Sequence, residues 1–77
     1  MDLVISKDAQ KQYKRLPISE QQKIKKKLNS LSQNPTSGKK LEGKLKGRYV
    51  IRVWPYRIIY LINKDENRLE VSDILHR

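Results

Sequence analysis

The chain contains no cysteine and only one histidine. Without cysteine there are no disulfides and no thiolate chemistry, which fits a reducing cytosol. A zinc ion would have only His76 and a few carboxylates for ligands, a poor set, so neither a metal nor another cofactor is expected. Long apolar runs are also missing. No segment approaches the roughly 20 residues that a membrane span needs, and Met1-Asp2-Leu3-Val4-Ile5-Ser6-Lys7 lacks the basic start and apolar stretch of a secretion signal. A soluble, cytoplasmic protein without membrane association is the expectation. Acidic side chains are scarce: eight Asp and Glu stand against eighteen Lys and Arg in 77 residues, a formal charge of +10. Such self-repulsion in a chain long enough for only one small core predicts a polyanion or an acidic protein as partner.

Residues 1–77 read as a single domain. Leu3-Val4-Ile5 is long enough for one buried strand. Ser6 is placed to cap a helix in which Ala9, Tyr13 and Leu16 form one apolar stripe, and Pro17 stops that helix. Ser19-Glu20-Gln21-Gln22 has the pattern of a capping box that restarts a helix. Ile24, Leu28 and Leu31 form its buried stripe. Lys23, Lys26 and Lys27 fall on one flank, which reads equally as a solvated face or an RNA contact. Asn34-Pro35 ends the element, and helices joined so briefly predict an antiparallel hairpin. Residues 35–47 hold all three glycines and several lysines, and read as a loop.

Three strands follow. Tyr49, Ile51 and Val53 alternate with Val50, Arg52 and Trp54, and Trp54-Pro55 makes a tight connection. Tyr56, Ile58, Tyr60 and Ile62 then alternate with Arg57, Ile59 and Leu61. Asn63-Lys64-Asp65-Glu66-Asn67 is a polar hairpin loop, and the last strand runs from Arg68 to about Leu75. Leu69 and Val71 favour one face of it and Ile74 the other, which a bulge near Ser72-Asp73 reconciles. The predicted class is α+β: an N-terminal strand, a two-helix hairpin, then a three-stranded antiparallel meander (β-α-α-β-β-β), with the helices packed on one sheet face.

Arginine on a sheet where a small core wants hydrophobes points to phosphate. Arg52 and Arg57, on adjacent strands, are expected to share a face and converge on one phosphate, which their planar forks match. A salt bridge from Arg57 to Asp73 or Glu70 is the competing reading. RNA is cut without metal when its own 2′-hydroxyl attacks the neighbouring phosphate, and arginines neutralise the charge that grows there. His76, at the end of the last strand beside Arg77, is the only histidine, the residue type suited to proton transfer at physiological pH, although a lone histidine is more often structural. Lys39, Lys40, Lys44, Lys46 and Arg48 would line the approach and hold an RNA backbone without reading bases. Trp54, at the hairpin tip, either stacks on a base or caps the core edge.

Lys40-Leu41-Glu42-Gly43, Gly47-Arg48-Tyr49-Val50-Ile51-Arg52-Val53, Tyr56-Arg57-Ile58-Ile59-Tyr60 and Ile74-Leu75-His76-Arg77, in this order, resemble the RelE/ParE family of bacterial toxins over the whole chain. The resemblance implies the toxin of a type II toxin–antitoxin pair, held inactive by a cognate antitoxin. On the RelE-like branch it implies an endoribonuclease that cuts messenger RNA in the ribosome, with Arg52, Arg57, His76 and Arg77 matching catalytic positions on the sheet face away from the helices. On the ParE-like branch it implies an inhibitor of DNA gyrase. Two departures stand out. Many RelE-like members carry a basic residue where this chain has Val50, and many continue past the His-Arg pair into a tail with a tyrosine. A truncated, inactive toxin that still binds antitoxin is therefore a third implication.

Overall fold

A computed structural model describes residues 1–45 and 47–76. Lys46 and Arg77, both expected at the RNA-facing surface, lie outside the described residues. The chain forms β1 (Asp2–Ile5), α1 (Lys7–Lys14), α2 (Ile18–Gln33), β2 (Lys39–Lys40), β3 (Arg48–Val53), β4 (Tyr56–Asn63) and β5 (Arg68–His76). Short 3-10 turns cover Pro35–Ser37 and Gly43–Leu45. The five strands make one sheet in the order β1-β5-β4-β3-β2. β1 runs parallel to β5, and the other neighbours pair antiparallel.

Alternation decides which side chains are buried. Tyr56, Ile58 and Tyr60 from β4 join Leu69, Val71 and Ile74 from β5 beneath Ala9 of α1 and Ile24, Leu28 and Leu31 of α2. The helices thus cover one face of the sheet, as the periodicity predicts. The α1 cap also forms as expected: the Ser6 hydroxyl accepts from the Ala9 N–H at 3.1 Å. The capping box does not. Pro17, not Ser19, is the N-cap of α2, and no side chain caps it. Proline ends one helix and begins the next because its fixed φ and extended ψ suit a boundary, while its carbonyl still accepts from the Gln21 N–H at 2.9 Å. The Gln21 amide side chain donates to the Leu16 carbonyl at 2.9 Å, which closes the joint between the helices.

The bulge in β5 forms where the hydrophobic pattern breaks. Ile59 pairs with Asp73 and Tyr60 with Val71, so Ser72 is the extra residue. A bulge leaves backbone groups without ladder partners, and side chains supply them here. The Ser72 hydroxyl donates to the Ile59 carbonyl at 3.1 Å, and the Ser6 hydroxyl donates to the Ser72 carbonyl at 2.8 Å. The Ile74 N–H donates to Gln12 Oε1 at 2.7 Å. Residues at the start and middle of α1 therefore hold the second half of β5 in its shifted phase.

Between Pro35 and Leu45 the chain holds more structure than the expected loop. Tyr60, fully buried at the core, donates its hydroxyl to the Pro35 carbonyl at 2.8 Å and accepts from the Gly38 N–H at 3.0 Å. This grip brings the chain so close that a Cβ at position 38 would stand 2.5 Å from the Tyr60 oxygen. Immediately after Gly38 the chain pairs with β3, Lys39 opposite Val50 and Lys40 opposite Tyr49. A two-residue edge strand results, where the sequence predicted a loop.

Candidate nucleic-acid interface

The face of the sheet away from the helices carries the arginines. β3 presents Arg48, Val50 and Arg52 there, since Tyr49, Ile51 and Val53 pack toward the core. β4 presents Arg57, Ile59 and Leu61 on the same side. Arg52 and Arg57 are direct partners across the β3–β4 ladder. Directly opposed side chains have Cβ atoms about 4.5–5.5 Å apart. Both arginines are exposed, and among the described residues neither enters an ion pair. The competing salt bridge to Glu70 is not made; Arg68 takes that carboxylate at 3.3 Å. Asp73 reaches the same face opposite Ile59, a diagonal neighbour of Arg57, without forming an ion pair among the described residues.

Two like charges facing each other across a ladder destabilise a sheet. On a domain already carrying +10, such a pair concentrates positive charge on the uncovered face, where an anion would relieve the repulsion. The notch between Arg52, Trp54, Pro55, Tyr56 and Arg57 has a volume of only about 10 Å³. That is room for about one water, so the site is an open surface and not a nucleotide pocket. Trp54, 68% exposed at the hairpin tip, stands at its rim.

The other expected residues divide between the two faces. Arg48 lies opposite Leu61 and Lys39 opposite Val50, so both join the arginine face at its β2–β3 side. Lys40, opposite Tyr49, falls on the helix side. Lys44 is exposed in the 3-10 turn that precedes β3.

His76 does not meet the arginines. Its ladder partner is Tyr56, a core residue, and the two rings meet edge to face with centroids 5.2 Å apart. The cause is the bulge. By shifting the phase of β5 it puts Ile74 and His76 on the helix side and turns Leu75 toward Arg57. The broken hydrophobic pattern predicts the bulge, but not the side of the sheet that His76 takes beyond it.

Among the described residues, no group of three or more His, Cys, Asp or Glu is placed to hold a metal ion, and no helix is long and apolar enough to cross a membrane.

Residues 3–77 match the family model described as the ParE toxin of the type II toxin–antitoxin system, parDE. No curated protein matches the chain in sequence. Solved structures match it in fold. One is the RelBE2 toxin–antitoxin complex of Mycobacterium tuberculosis, with a TM-score of 0.91 at 23% identity over 99% of this chain and 96% of that one. Another is the YoeB/ParE toxin of Agrobacterium tumefaciens, with a TM-score of 0.86 at 22% identity, covering 100% and 99% of the two chains. A third is the intact RelBE complex of E. coli, with a TM-score of 0.85 at 19% identity, covering 99% and 95%.

Proposed function

Because the chain belongs to the ParE toxin family of type II toxin–antitoxin systems, we propose that it is a toxin that cuts messenger RNA in the ribosome by metal-independent attack of a 2′-hydroxyl on the adjacent phosphate. The observation that carries this reading is the uncompensated Arg52–Arg57 pair on the uncovered sheet face. Two guanidinium groups hold a phosphate through several charge-assisted hydrogen bonds and neutralise the extra negative charge of the transition state. Arg48 and Lys39 extend the cationic surface along the strand path, and Trp54 offers a stacking plane at its end. His76 belongs to the other face, so in this reading the arginines, not the imidazole, are the groups that meet the phosphate.

A cognate antitoxin is the proposed partner in the cytoplasm. The relatives crystallised as RelBE complexes support it, as does the charge of +10. So does an apolar groove of about 270 Å³ along β1, lined by Leu3, Ile5, Tyr13 and Leu28 with Lys25 at its margin.

A second reading, inhibition of DNA gyrase, is favoured by the ParE name of the matching family and by the absence of His76 from the arginine face. Expression without antitoxin separates the two. Messenger cleavage reading expects an immediate stop in translation with broken messages and continued DNA synthesis. Arrest of replication with DNA damage and intact messages would overturn it in favour of the gyrase reading.

A further inference from the structure

One row of residues crosses the uncovered face from strand to strand. Lys39 pairs with Val50, Val50 with Ile59 and Ile59 with Asp73. The row begins on a cation, passes over two half-buried aliphatic side chains and ends on a carboxylate. The next row is Arg52, Arg57 and Leu75. On β2, β3 and β4 the charged residues of this face are all basic, and its acids stand on β5 and β1. Of those acids, Glu70 is held by Arg68 at 3.3 Å, and Asp2 lies at the sheet edge opposite Arg68. Asp73 has no ion pair or side-chain hydrogen bond among the described residues.

The bulge puts Asp73 there. In an unbroken β5, with Leu69 and Val71 facing the core, position 73 would face the core as well. The extra residue at Ser72 turns Asp73 out beside the arginines. The phase shift that takes His76 away from the arginine face thus brings a carboxylate to it.

A carboxylate in this place either offsets the arginine charge or meets a group that arrives with the phosphate. It is poorly placed for the first role. Asp73 is only a diagonal neighbour of Arg57, at about 7–8 Å, and the two form no ion pair. It also repels phosphate. A single strand whose backbone follows the basic strands would therefore turn its base, not its phosphate, toward β5. Val50 and Ile59 offer an apolar floor for the face of that base, and Asp73 stands where its edge would arrive. A carboxylate only accepts hydrogen bonds. Guanine is the base that presents two adjacent donors, N1–H and the N2 amino group, to match two carboxylate oxygens. Adenine and cytosine set a lone-pair nitrogen beside their amino group, and uracil flanks its one N–H with carbonyls.

We propose that Asp73 is a specificity-determining residue, whose carboxylate accepts from the base-pairing edge of a guanine next to the phosphate held by Arg52 and Arg57. The proposal rests on the reading of this face as the surface that meets messenger RNA. It adds a base preference, which phosphate contacts alone do not supply.

The test is a fluorescence-anisotropy titration of short oligouridines with the whole chain, each strand carrying one central guanosine, inosine or adenosine. Inosine lacks only the N2 amino group of guanosine. The guanosine strand should bind about tenfold tighter than the adenosine strand, with inosine between them. Asp73→Ala should erase that order while the adenosine strand binds as well as before or better, because a negative charge is gone. If Asp73 served only to offset charge, the variant would strengthen all three strands by one factor and leave their ratios alone. Unchanged ratios in the variant, or equal binding of the three strands by the wild type, would overturn the proposal. Failure to bind any strand would overturn the RNA reading of this face and the proposal with it. A guanosine preference in a chain that leaves messages intact on expression would sink the cutting reaction alone.

Discussion

Arg57→Gln is expected to make the protein more stable and less functional at once. Glutamine keeps most of the side-chain stem and removes the charge. The loss relieves repulsion with Arg52, its direct ladder partner, and Arg57 gives up no ion pair among the described residues. Like charges placed directly opposite cost about 0.2–1 kcal/mol. At roughly 4–8 °C per kcal/mol for a domain of this length, Tm should rise by about 1–8 °C, measured by circular dichroism. The same change removes one phosphate contact from the sheet face. Binding of a single-stranded RNA oligonucleotide should weaken at least about fourfold near 0.15 M salt, and the salt slope should fall by about 0.7. Toxicity on expression should fall with it. His76→Gln is the control, because that ring lies on the helix side against Tyr56; it should leave the salt slope where it was. A drop in Tm for Arg57→Gln would mean that the guanidinium is a structural group. An unchanged slope would mean that no phosphate reaches it. Either result refutes the assignment of this face.

Two further perturbations test how the surface is held and what it holds. Tyr60→Phe removes the acceptor of the Gly38 N–H and the donor to the Pro35 carbonyl, so it should cost about 1–3 kcal/mol, seen as a lower melting temperature. Burial raises the Tyr60 pKa above the usual tyrosine value; the Gly38 N–H pulls it partly back, and Tyr49 beside it adds a smaller upward push. The unfolded chain therefore loses this proton first. The stability tied to Tyr60 is whole below about pH 10 and falls as pH rises through the native value, so the gap in Tm between wild type and Tyr60→Phe should narrow at alkaline pH. A gap constant with pH would contradict the burial of the hydroxyl. Trp54→Ala should weaken single-stranded RNA binding by about 1–3 kcal/mol, the worth of one stacked base, with no change in salt slope; an unaltered affinity would leave the ring as a cap on the core edge.

Much of the fold was legible because it is written in short periods. The alternation through Tyr49–Val53 and Tyr56–Ile62 sorted core from open face, and the 3.6-residue spacing of Ile24, Leu28 and Leu31 gave the buried stripe of α2. What escaped was set by contacts distant in sequence. Lys39-Lys40 has no strand pattern of its own; it becomes an edge strand because Tyr60, more than twenty positions later, grips Gly38 and Pro35. The cap of α2 escaped for a local reason. Ser19 carried the stronger capping signature, but the boundary set by Pro17 lies two residues earlier and left Ser19 inside the first turn.

The least legible feature of the candidate site follows from the best-anticipated irregularity. One extra residue at Ser72 reverses which side chains beyond it face the core. Ile74 gains burial by this reversal, and burial of a large aliphatic side chain stabilises by about 1.5–3 kcal/mol. Ser6, Ser72 and Gln12 then satisfy the backbone groups that the bulge frees. The packing of one isoleucine thus determines the face on which His76 appears, and the imidazole follows the core instead of the arginines. The arginine pair itself comes from β3 and β4, so it does not depend on the phase of β5, which explains how the sheet can tolerate a bulge so close to it. The uncompensated Arg52–Arg57 pair lies on the regular part of the ladder, where register is fixed on both strands by Ile51, Ile58 and Tyr56 in or against the core.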